Sequence, residues 1–204
     1  VSLDTPFCEF RNTILFIISN NVSFSIVYFF AIPTILKMEI LQTRRLTLSE
    51  ATLSDIPLIF KLLNSPNWLE FIGDRNIRTL EDAEKYIQNS LIKSYRENGF
   101  GLWKVELKSD KTPIGLCGLL KREMLDFPDL GFAILPNHAG VGYISEVAKA
   151  TVSYAKSNLE LKQILAITSL SNYGSQAVLK KTGFTKTGEI EFNGGKGELY
   201  ELNF

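Results

Sequence analysis

The sequence predicts a mixed α/β fold: one mostly antiparallel sheet flanked by helices, with a single parallel crossover. Three observations carry this. Apolar segments of strand character follow one another directly between residues 100 and 135, and again after residue 184, with only turns between them; strands joined that way pair antiparallel. Residues 129–168 read as strand, helix, strand, which makes one parallel crossover. Most of the remaining helical periodicity lies between residues 54 and 98, after a first strand and ahead of the others, with one short helix near residues 172–181. A doubly wound dinucleotide fold would instead alternate strand and helix throughout.

The elements follow in order. Leu41 to Leu48 alternates and reads as a first strand with Leu46 and Leu48 inward. Ser54 is placed to cap a helix with Pro57 in its first turn and Ile56, Ile59, Phe60 and Leu63 as its apolar stripe. Ser65-Pro66-Asn67 breaks it, and Trp68 to Ile72 forms a second helical piece closed at Gly73. Thr79-x-x-Asp82 has the form of a capping box and opens a long helix with Ala83, Tyr86, Ile87, Leu91 and Tyr95 toward the core. Gly99 ends it. Phe100 to Leu107 is a strand with Trp103, Val105 and Leu107 on one face, and Pro113 to Leu120 a buried one. Residues 129–135 form the next strand, a helix runs on from Tyr143, and Gln163 to Thr168 is another buried strand. Asn172 or Ser171 caps a short helix through Lys181, and Gly183 closes it. Phe184 to Phe192 and Gly197 to Phe204 make a terminal hairpin through Asn193-Gly194-Gly195.

The most informative stretch is Gly131 to Glu146. An apolar strand ends at Pro136; Gly140 and Gly142 bracket a turn; then Ile144, Val147, Ala148, Thr151, Val152 and Ala155 recur at helical spacing. A glycine turn feeding a helix N-terminus aims free N–H groups and the positive helix end at one spot, where phosphate fits. A Walker A loop needs Lys followed by Ser or Thr after its last glycine, but Tyr143-Ile144 follows here. A dinucleotide fingerprint needs a third glycine, and Ser145 stands instead. An acyl-CoA turn and an ordinary strand-to-helix connection both remain open at this point.

Composition narrows the class. The 204 residues suit one domain with a full core, or one domain plus an appendage. Lys and Arg number 22 against 22 Asp and Glu, so no broad basic face for nucleic acid is indicated. The two cysteines, Cys8 and Cys117, are far apart, and His138 is the one histidine, so neither a disulfide framework nor a Cys/His metal site is expected. A reducing, cytoplasmic setting fits. Residues 1–37 differ from the rest: Asn12 to Leu36 is uncharged, apolar and long enough to span a bilayer. It lacks the basic start and small-residue exit of a signal peptide. The preferred reading takes residues 1–37 as sequence translated ahead of a true start at Met38, with residues 38–204 as the domain. A membrane anchor is the alternative, with Lys37, Arg44 and Arg45 favouring a cytoplasmic domain.

From Met38 onward the chain resembles the GNAT N-acetyltransferases, in particular the RimJ/RimL type that acetylates ribosomal-protein N-termini. The motifs that carry this are Arg45-Leu-Thr-Leu48, Phe71-Ile-Gly-Asp74, Gly99-Phe-Gly-Leu-Trp103, Pro113-Ile-Gly-Leu116 and Gly131-Phe-Ala-Ile-Leu-Pro136. Gly140-Val-Gly-Tyr-Ile-Ser-Glu146 and Asn172-x-x-Ser175-x-x-Val-Leu-Lys-Lys-Thr-Gly-Phe184 complete them. Asn137-His-Ala-Gly140-Val-Gly142 matches the family's Gln/Arg-x-x-Gly-x-Gly/Ala turn except at its first position.

The resemblance implies a splayed central strand pair, acetyl-CoA as co-substrate, no metal, and an amine-bearing acceptor, either a protein N-terminus or a small molecule. Monomer and homodimer both stay open. It implies that the backbone of Phe132, Ala133 and Ile134 holds the pantetheine arm. The pyrophosphate is expected on the turn formed by Asn137, His138, Ala139, Gly140, Val141, Gly142 and Tyr143. Asn172 touches the arm, and Ser175, near the sulfur, is the acid for the leaving thiolate. Many relatives use a tyrosine farther along that last helix; Leu179 stands at the nearest position. A catalytically silent acyl-CoA-binding protein on the same fold is therefore the alternative to an enzyme. Direct attack by an amine needs alignment, an oxyanion donor and a base. Backbone N–H near Ile134 suits the oxyanion. Glu123, Asp126, Asp129, Glu189 and Glu191 all stand as candidate bases. Glu146 reads as a structural residue at the helix start, His138 as a solvated loop residue, and Trp103 and Phe100 as core.

Overall fold

The computed structural model describes residues 38–192 and 194–204. The readings of residues 1–37, and of Asn193 in the last turn, lie outside the described residues.

The first alternating segment is a hairpin rather than one strand. β1 (Glu39–Gln42) pairs antiparallel with β2 (Leu46–Ser49). Thr43 makes the turn: its N–H donates to the Leu46 carbonyl at 2.9 Å and its hydroxyl accepts the Leu46 N–H at 3.1 Å. A threonine side chain that satisfies nearby backbone groups competes with the strand ladder. Next comes α1 (Ile56–Leu63), preceded by a 3-10 turn at Leu53–Asp55. Its cap belongs to Thr52 and Asp55 and not to Ser54. The Thr52 N–H donates to the Asp55 carboxylate at 2.9 Å, while the Ser54 hydroxyl only pairs with that of Thr52. α2 (Pro66–Phe71) follows, then α3 (Leu80–Tyr86) behind the Thr79/Asp82 capping box.

A π-helical turn, Ile87–Ile92, joins α3 to α4 (Lys93–Asn98). Ala83, Ile87, Leu91 and Tyr95 recur every four residues, and all are buried. On a regular α-helix that repeat would drift by about 40° per step. The wider π turn takes up the excess and keeps all four on one face.

The remaining elements are β3 (Leu102–Leu107), β4 (Pro113–Leu120), β5 (Asp129–Ile134), α5 (Tyr143–Ser157), β6 (Gln163–Ser169), α6 (Tyr173–Lys181), β7 (Thr185–Phe192) and β8 (Gly195–Asn203). Among the described residues the sheet has eight strands in the order β1-β2-β3-β4-β5-β6-β8-β7, and β5–β6 is the parallel pair. α5 covers one face, where the rings of Trp103 and Tyr154 meet edge to face at 5.4 Å and Cys117 contacts Thr151. α1 lies on the other.

That second helix layer covers the other face of β3, which the sequence reading left unassigned. Lys104 and Glu106 on it are both buried, as is Asp55. The Lys104 ammonium sits 2.5 Å from Asp55 Oδ1 and 3.6 Å from Glu106 Oε2. Buried charges persist when paired, and the partner here comes from a turn 49 residues away. No helix among the described residues is long and apolar enough to cross a membrane.

Candidate active site

β4 and β5 pair without interruption, from Gly115 opposite Ile134 to Leu120 opposite Asp129. On its other edge β5 meets β6 at one register point, Asp129 opposite Leu165, where the Leu165 N–H donates to the Pro128 carbonyl at 2.9 Å. β6 then turns its pairing to β8 along its whole length. Each splayed strand stays tied to its outer neighbour, so the sheet opens into a V beyond Asp129. The β5 backbone groups that point into this V have no strand partner. This half-buried edge therefore has backbone hydrogen-bonding capacity left open.

A cavity of about 440 Å³ fills the V. Phe132, Ala133 and Ile134 form one wall, and Ala166, Ile167 and Thr168 the other. β5 leads through the short helical turn Pro136–His138 to Gly140 and Gly142, which have φ of +79° and +83°. A side chain at either position would strain the backbone. Gly142 is also the N-cap of α5, with no side chain capping it. Its first N–H groups are therefore not satisfied by a side-chain cap, the arrangement that suits an anion. His138, Ala139, Gly140, Gly142 and Tyr143 line the cavity, whereas Asn137 and Val141 do not; Asn137 faces a neighbouring depression with Lys61 and Asn64.

The turn is clamped from the opposite end of the sheet. Glu146 accepts hydrogen bonds from the Thr43 hydroxyl at 2.6 Å, the Arg45 N–H at 2.8 Å and Arg45 Nε at 2.7 Å. Arg45 Nη1 donates to the Val141 carbonyl at 3.1 Å, and its guanidinium lies 4.4 Å from the Tyr143 ring centroid. Burial pushes the Glu146 carboxyl up, but these bonds and the Arg45 charge together hold it below the usual range. A carboxylate in the first turn would repel a phosphate; Arg45 neutralises it.

On α6, Asn172 Oδ1 accepts the Ser175 N–H at 3.0 Å, which caps the helix. The Asn172 amide nitrogen has no hydrogen bond among the described residues. Both residues line the cavity, and so does Leu179. Of the five carboxylates considered as base, Asp129 alone lines the cavity; Glu189 pairs with Lys196 on the hairpin instead. Asp129 is 1 % exposed, and both of its oxygens accept from Arg122 Nε at 3.0 Å. Burial raises its pKa, and Arg122 opposes the rise. Trp103 and Phe100 are core residues away from the cavity. The Arg45 clamp and the Arg122 pairing went unread in the sequence. An arginine seven residues ahead of an aspartate, across a loop ending at Pro128, is the signal that could have flagged the second.

The acetyltransferase (GNAT) domain model matches residues 45–185. The chain belongs to the GNAT acetyltransferase family, and it is an N-acetyltransferase. It is 31 % identical over 166 residues to the uncharacterized N-acetyltransferase YoaA of Bacillus subtilis, covering 80 % of this chain and 93 % of that one. The fold matches an acetyltransferase from Agrobacterium tumefaciens with a TM-score of 0.70 at 23 % identity, covering 91 % of this chain and 99 % of the other. It also matches RimL, a ribosomal L7/L12 alpha-N-protein acetyltransferase, with a TM-score of 0.69 at 16 % identity, over 82 % and 95 % of the two chains.

Proposed function

We propose that this chain moves the acetyl group of acetyl-CoA to a primary amine, a protein N-terminal α-amine or a small-molecule amine, by direct attack with both substrates bound. The observation that carries this is the V: β5 loses β6 after Asp129 and points into the cavity between them. Acetyl-CoA supplies the acyl group already activated as a thioester. The free β5 edge from Phe132 to Ile134 offers N–H and C=O groups to an amide-bearing arm. The turn from Asn137 to Tyr143 offers N–H groups to a pyrophosphate, by backbone and not by the Asn137 side chain. The Asn172 amide nitrogen is a further donor, and the Ser175 hydroxyl carries a proton for the departing sulfur. Asp129, held by Arg122, takes the proton from the attacking amine, directly or through a water. Its raised pKa suits that work, because a base is most effective when its pKa lies nearer the working pH.

The test is release of free thiol from acetyl-CoA against a panel of amines, run beside calorimetric titration with acetyl-CoA. Thiol release that depends on the amine supports the reading. Tight acetyl-CoA binding with no release from any amine would make the chain a silent acyl-CoA binder.

A further inference from the structure

The Asp129 end of the cavity carries more positive charge than a neutral amine calls for. Arg122 spends only Nε on Asp129, and its two terminal nitrogens have no hydrogen-bond partner among the described residues. Its guanidinium lies 5.4 Å from the centroid of Phe192, another cavity residue. Arg75, in the segment after α2, lines the same cavity and makes no ion pair with any described residue. Tyr86 and Phe192 line the same cavity as both arginines and Asp129. Among the described residues Asp129 is the one carboxylate lining the cavity, whereas Arg75, Arg122 and Lys181 all line it.

An amine approaching Asp129 therefore meets a negative group for its nitrogen and the open end of the Arg122 guanidinium beside it, in a cavity that Arg75 also lines. Guanidinium forks match carboxylate and phosphate oxygens in pairs. The aromatic walls at Tyr86 and Phe192 lower the local dielectric, which strengthens that attraction and penalises a second cation.

We propose that the acceptor carries an anionic group, a carboxylate or a phosphate, close to its reacting amine, and that Arg75 together with the terminal N–H groups of Arg122 binds it. This rests on the acetyl-transfer reading and narrows its acceptor. The chemistry has two sources, a small amino acid or a protein N-terminus with an acidic residue next to it.

The experiment compares acceptors matched in everything but that charge, with thiol release as readout. One arm sets an ω-amino acid against its amide. The other sets C-terminally amidated peptides with aspartate at the second position against the same peptides with asparagine. We expect kcat/KM about tenfold or more higher for the anionic member in at least one arm, the strength of a charge-assisted contact. The arm that shows it identifies the source. Arg75→Gln should cut that preference to about threefold or less, while turnover of the neutral members stays within about twofold. Circular dichroism checks that the variant is folded. Equal rates for neutral and anionic members, or an Arg75→Gln loss shared by both, overturns the proposal and leaves acetyl transfer standing. No release from any amine of either charge overturns both.

Discussion

Asp129 concentrates the chemistry at the residue scale. It stands where β5 and β6 still touch, nine-tenths buried or more, with one arginine on both oxygens. If it is the base, Asp129→Asn should lower kcat by about 10²- to 10⁴-fold while acetyl-CoA affinity changes little. In the native enzyme the acidic limb of kcat/KM should fall as pH drops through a pKa above the ordinary carboxylate range, because burial raises it. Steady-state rates across pH decide this; a variant that keeps native turnover returns Asp129 to a structural role. The same shift has a stability sign. The folded state binds this proton more tightly than the unfolded chain does, so the group's stabilisation is full below the unfolded pKa and is lost as pH rises through the folded one. Ser175→Ala belongs to the same scale. It should lower turnover more than it weakens acetyl-CoA binding, since the helix cap uses the Ser175 N–H and not its hydroxyl. Equal turnover at saturating substrate would remove Ser175 from the reaction.

Among elements, what was legible followed short-range chemistry. The Thr79/Asp82 box, the glycine ends at Gly99 and Gly183, and the strand, glycine turn and helix from 129 onward depend on residues within a few positions of one another. What was not legible depends on partners far off in sequence. Lys104 is buried because Asp55 meets it across 49 positions, and Glu146 reaches Arg45 across 101. Periodicity reports one face of one segment and is silent on what covers the other. The π turn is an intermediate case: its four-residue repeat was on view, but a strict α-helix was assumed. The turn makes its own prediction. Gly140→Asp places a carboxylate, and a side chain at φ +79°, on the turn proposed to take the pyrophosphate. Like-charge repulsion in a partly desolvated site costs on the order of several kcal/mol. Space around Gly140 is open, so folding should suffer less than binding. Calorimetric titration should show acetyl-CoA affinity abolished in a variant with native circular dichroism; near-native affinity would move the phosphates off this turn.

For the whole molecule, the core seen among the described residues is drawn from Leu46 onward. Among those residues the sheet begins at Glu39, β1 pairs with β2, and the family match starts at residue 45. The cavity, the turn and its Arg45 clamp all lie after that point. A chain beginning at Met38 should therefore fold and bind acetyl-CoA as the full chain does. Ligand linkage makes the comparison quantitative. At a ligand concentration of about 100 Kd, binding to the native state alone adds about 2.7 kcal/mol. For a domain of this size that raises Tm by roughly 5–10 °C. Thermal melts of both chains, with and without acetyl-CoA, should give the same shift within error. If the shorter chain aggregates, or melts without a shift while the full chain shows one, then residues 1–37 contribute to the folded domain and the boundary at Met38 is wrong.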